Sequence, residues 1–102
     1  MASAIDQFVR GRKVSLRALY ETRAVLEPAL AHLAAQRRTD RDLQELRSLH
    51  DDLITSVNDF QAFSRVNIRW HNAVARASSN ELLAAFLYSV SYGVAIATTT
   101  AE

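Results

Sequence analysis

The sequence predicts an all-α fold: an antiparallel bundle of four main helices, preceded by a short N-terminal one. Three observations carry that prediction. Hydrophobic residues make up 49% of the chain, with only 2 Gly and 1 Pro, too few turn formers for a fold of many short strands. Apolar residues recur three and four apart through most of the chain, the period of one helix face. The pattern is interrupted only briefly near Arg38, Asn58 and Ser78, and short breaks favour antiparallel packing of sequence neighbours.

Residues 4 to 9 can make one or two helical turns, and Arg10-Gly11-Arg12-Lys13 reads as a solvated linker. That basic tetrad lacks the aromatic and polar partners of a nucleic-acid reader. Ser15 is the expected N-cap of a helix running to about Arg38. Its apolar stripe is Leu16, Leu19, Leu26, Leu30, Leu33 and Ala34. Pro28 lacks an N–H and crowds the preceding turn, so a bend is expected near Ala24 to Glu27. His32 falls off the stripe and is read as a surface residue.

Thr39-Asp40-Arg41-Asp42 resembles a capping box with Asp in place of Glu or Gln. The helix it starts has Leu43, Leu46, Leu53, Ile54 and Val57 as its stripe, with His50 inside it as a partly buried histidine bonded to a neighbour. Asn58-Asp59 makes a turn and the next cap. In the third helix Phe60, Phe63, Trp70, Val74 and Ala77 share a stripe, while Arg65, Arg69, Asn72 and Arg76 face water. Ser78-Ser79-Asn80-Glu81 is the last break. From Leu82 to Ala101 no residue is charged. Its serines, tyrosines and threonines, and the lack of basic flanks, favour a central buried helix over a membrane span.

Net charge is +1, so no global basic field exists to hold a polyanion. Cysteine is absent, which excludes disulfides and thiolate chemistry and suits a reducing cytosol. Met1 to Val9 lacks the basic start and apolar core of a signal peptide, and the chain is expected in the cytoplasm. No Ser/His/Asp grouping, glycine-flanked serine elbow or glycine-rich phosphate loop occurs, so no enzyme is expected.

Two pairs of polar residues break the apolar stripes, each four apart and therefore neighbours on a helix. Arg23 and Glu27 form one, Asn67 and His71 the other. Polar groups facing a core require partners. Arg23–Glu27 is either an internal pair that steadies the bundle or a guanidinium fork held ready for an anion, and both can hold at once. Asn67 and His71 can reach one metal ion from a single helix. Tyr92 joins the ligand-binding candidates, because hydroxyls in an otherwise apolar helix suit a polar cavity. Arg23, Asn67 and His71 are expected to converge on one such cavity.

The run N-x3-H-x2-V-x2-A-S-S-N-x-L-L from Asn67 to Leu83 resembles the ligand-binding domain, of FCD type, that follows the winged helix in FadR-type members of the GntR family of bacterial transcription regulators. The run from Tyr20 to Ala29, continuing to Leu33-Ala34-Ala35, is similar to the first long helix of that domain. The resemblance covers the chain from about Leu16 onward. It implies that residues 1–13, the short N-terminal helix and linker, precede a partial ligand-binding domain over 14–102. It further implies a DNA-binding winged helix before residue 1, and last helices bearing two more histidines after residue 102. DNA contact would then belong to the winged helix alone. By resemblance Asn67 and His71 are the first two ligands of a divalent metal such as zinc, nickel or manganese. The family opens this motif with Asp or Asn, and neutral Asn holds such a cation more weakly than Asp. The resemblance also implies a small carboxylate effector and a homodimer. The reading without a ligand is a helical module for dimerisation only.

Overall fold

Ser15 opens the first described helix because its Oγ accepts a hydrogen bond from the Ala18 N–H at 3.1 Å, satisfying a donor that the helix itself cannot. The computed structural model describes residues 14–100. Within them lie four helices, α1 (Leu16–Arg37), α2 (Asp40–Thr55), α3 (Phe60–Ala77) and α4 (Glu81–Thr100). The short helix expected at residues 4 to 9 lies outside the described residues. The all-α reading and the four helix boundaries are borne out to within a residue or two.

Each helix starts on the cap that the sequence offers. Thr39 and Asp42 form a reciprocal capping box, Asp42 N–H to Thr39 Oγ1 at 3.0 Å and Thr39 N–H to Asp42 Oδ2 at 2.9 Å. Asp59 Oδ1 accepts from Ala62 N–H at 3.1 Å, and Asn80 Oδ1 from Leu83 N–H at 3.0 Å. Thr39→Ala removes one half of the box and is expected to lower stability by about 1 kcal/mol. Urea unfolding checks this, and an unchanged midpoint would mean that the box contributes nothing to stability.

Contacts between helices fix their directions. Arg76 Nη2 meets Glu45 Oε1 at 2.7 Å and the ring of His50 lies 6.3 Å from that of Trp70, so α2 and α3 run antiparallel. The turn at Ser78–Asn80 folds α4 back along α3. Leu19 packs with Val90 and Val94, and Leu30 with Leu87, so α1 is antiparallel to α4. The chain therefore alternates in direction from helix to helix. Leu30, Ala75 and Leu87 form the cluster where α1, α3 and α4 meet.

Several expectations are corrected. Although α1 and α2 are sequence neighbours, they do not pack on each other; α2 packs on α3 alone. A helix covered from one side buries only a narrow stripe. Leu49 is the buried residue of α2, whereas His50 and Val57 are exposed and Ile54 is 60% exposed. The central helix is α3, which touches all three others, and not α4, which packs on α1 and α3. Asn72, expected to face water, is consequently half-buried, with its Oδ1 buried and without a hydrogen bond. Phe60, expected in the α3 stripe, is 82% exposed because it stands at the first position of the helix.

The end of α3 is held tightly. Ala73, Ala75 and Ala77 are buried, and their small side chains let neighbouring backbones approach. Ser78 is buried, its Oγ donates to the Ala75 carbonyl, and Arg37 Nη1 donates to the Ser78 carbonyl at 3.0 Å. Ser79 takes φ of 55°, the left-handed conformation that ends many helices and that glycine adopts more cheaply. Pro28 lies inside α1, which continues through it unbroken. Among the described residues no helix is long and apolar enough to cross a membrane.

Candidate functional site

Helix α1 carries Arg23 and Glu27 one turn apart on a part-buried face. Arg23 donates from Nε at 3.0 Å and from Nη2 at 2.9 Å, both to Glu27 Oε1. Helix α3 packs alongside and brings His71 Nδ1 to 3.4 Å from the same oxygen. One carboxylate oxygen thus accepts both hydrogen bonds from a guanidinium on α1 and faces an imidazole on α3, with which it forms an ion pair only when His71 is protonated. All three side chains keep partial access to solvent.

Beside this group lies a cleft of about 210 Å³ lined by Glu27, Leu30, Ala31, Trp70, His71, Val74 and Leu87. Its wall is apolar apart from Glu27 and His71, the usual make-up of a small-molecule site, in which a few polar groups fix orientation. Arg23 is not in the wall; it bonds Glu27 from one turn earlier on α1.

Of the residues expected to form the site, the structure joins Arg23 and His71 through Glu27. Asn67 is half-buried one turn before His71 and outside the cleft wall. Tyr92 on α4 is exposed and also outside the wall. His32 is exposed as expected. Sequence reasoning placed Trp70 in the packing stripe and missed it as a wall residue. Its position beside His71 is the available signal, but deciding which flank of a helix faces a cleft takes the neighbouring helix. His50 is exposed, with its ring tilted 53° against Trp70.

Among the described residues no three His, Cys, Asp or Glu side chains gather where an ion could sit. Asn67 and His71 offer two donors, His71 Nδ1 faces Glu27, and the near oxygen of Glu27 already carries a guanidinium. These residues by themselves do not fit a divalent ion.

Burial pushes the pKa of His71 below its ordinary 6.5; the Glu27 carboxylate opposes that shift and the Arg23 guanidinium adds to it. The folded state therefore binds this proton less tightly than the unfolded chain. Stability owed to neutral His71 is present above the ordinary value and declines as pH falls through 6.5 toward the lower folded value. Thermal unfolding of wild type and His71→Gln, followed from neutral to mildly acid pH, is expected to show a steeper loss in wild type. Parallel curves would exclude His71 as a source of the pH dependence.

Comparison with known proteins gives one family and two informative relatives. The family model described as the FCD domain matches residues 18–101. The galactonate operon transcriptional repressor of Escherichia coli is 37% identical over 68 residues, 67% of this chain and 30% of that protein. The HTH-type transcriptional regulator LutR of Bacillus subtilis is 32% identical over 80 residues, 78% of this chain and 36% of that protein. The chain thus spans about a third of the length of the curated relatives it matches. No solved structure matches it.

Proposed function

The chain belongs to the FCD domain family, and from that membership we propose that it is the effector-sensing and dimerisation domain of a bacterial transcription regulator of the GntR family, FadR type, and that its effector is a small carboxylate. The observation that carries this reading is the convergence of Arg23, Glu27 and His71 beside an apolar cleft. Such a regulator works in the cytoplasm, touches DNA through a winged helix elsewhere in the protein, and has no catalytic role.

A carboxylate entering the cleft meets Glu27 before Arg23. It reaches the guanidinium by displacing Glu27, an exchange of one carboxylate for another on the same fork. Because Glu27 also faces His71 across the α1–α3 contact, the exchange alters the link between two helices. A ligand with different affinities for the linked and unlinked arrangements shifts the balance between them. A zinc, nickel or manganese ion is proposed only for the whole regulator, with Asn67 and His71 as two of its ligands.

One observation favours the second reading, a dimerisation module without a ligand: Arg23 already has both of its described bonds inside the protein. Calorimetric titration separates the readings. Galactonate, the sugar acid in the name of one relative, is the first acid to titrate, followed by other small hydroxy acids. Saturable heat with at least one acid is expected. No binding by any of them to the chain, or to the whole regulator, would leave the module reading in its place.

A further inference from the structure

We infer that the apolar turn between α2 and α3 is the docking site of this chain's own residues 1–13. The turn exposes Ile54, Val57 and Phe60 within seven residues of chain. Clustered exposed apolar groups of this kind mark contact surfaces. Residues 50–61 also contain Asp51, Asp52 and Asp59 and no Lys or Arg. None of these three carboxylates has an ion-pair partner among the described residues. The surface is therefore apolar and acidic, and its complement is an apolar and basic segment.

Residues 1–13 have that composition: Ile5, Phe8 and Val9 are followed by Arg10, Arg12 and Lys13, against the single Asp6. Geometry puts the start of α1 and the turn at one end of the molecule. The Glu27–His71 contact and the Arg37–Ser78 hydrogen bond pair low numbers with low and high with high, so α1 and α3 are parallel. The N-cap Ser15 precedes Glu27 by as many residues as the N-cap Asp59 precedes His71. At about 1.5 Å per helical residue, both caps lie about 18 Å from that contact, in the same direction. Packed helices are about 10 Å apart, while thirteen residues can extend roughly 43 Å. The segment leaves α1 level with the turn and has ample length to cover it. The inference is independent of what the cleft binds.

The chain contains no cysteine, so Ser3→Cys gives a single attachment point for a nitroxide. In the full chain the expected result is loss of most amide signal intensity at Ile54, Val57 and Phe60, with the far end of the bundle unaffected. Phe60→Asp, at a position too exposed to matter for folding, is expected to abolish the effect. The double variant Arg10→Glu, Arg12→Glu is expected to abolish it too, and adding Asp51→Lys and Asp52→Lys to that variant to restore it. A mixture of spin-labelled chain with isotope-labelled, spin-free chain distinguishes the other occupant. Broadening there would assign the turn to a second copy and overturn the inference, as would broadening of another face or none at all.

Discussion

Leu30→Ala is expected to remove about 3–5 kcal/mol of folding stability, the range for emptying a fully enclosed leucine site. Leu30 is 0% exposed and packs with Ala75 of α3 and Leu87 of α4. It is the α1 residue at the point where three helices meet. The loss has two parts, the missing transfer of the removed carbons and a cavity that the neighbours cannot collapse to fill. Collapse is hindered because Ala75, whose methyl group cannot swing inward, packs on one side. Against a typical total of about 5–15 kcal/mol, this change alone brings the domain near unfolding. Val25→Ala is the control: at 74% exposure it is expected to cost no more than about 0.5 kcal/mol. Urea unfolding of both variants decides. A loss below about 1 kcal/mol for Leu30→Ala would show that the three-helix junction is not the core.

Arg23→Ala and Glu27→Gln are expected to move carboxylate affinity in opposite directions. Arg23 supplies the positive charge that an acid needs, and charged hydrogen bonds contribute about 1.5–3 kcal/mol. Its loss should weaken binding about 10- to 150-fold. Glu27 is the resident competitor, holding Arg23 through two hydrogen bonds to one oxygen. Converting it to the neutral amide leaves the guanidinium in place and removes a like charge from the cleft wall, so affinity should rise. An internal pair with no ligand role predicts another pattern: both variants lose stability and neither changes any binding. Calorimetry with the same acid on wild type and both variants separates the two. Weaker binding in Glu27→Gln would sink the exchange mechanism, and unchanged affinity in Arg23→Ala would sink the anion reading.

The candidate site was legible in the sequence as two anomalies. Arg23–Glu27 and Asn67–His71 each put polar groups one turn apart on a stripe of apolar residues, and polar groups there require partners. That argument identified His71 and Arg23, which the structure does bring together. It could not identify Glu27 Oε1 as the shared atom, because the choice between Asn67 and Glu27 as the neighbour of His71 depends on how α1 slides along α3. Trp70 was read only as packing for the same reason.

The sequence alone determined the helices, their ends and their alternating direction. Those are local matters: Ser15, Thr39, Asp59 and Asn80 satisfy the first N–H groups of each helix from within a few residues, and the breaks between helices are too short for other routes. Tertiary structure alone decided which helix is central. Periodicity gives the direction of an apolar face but not the number of neighbours that cover it. With α2 set outside α3, Ile54 and Val57 are left exposed while Asn72 is drawn inward. Only the packing of α1 against α3 closes the distance from Glu27 to His71, a contact between residues 44 positions apart in the chain.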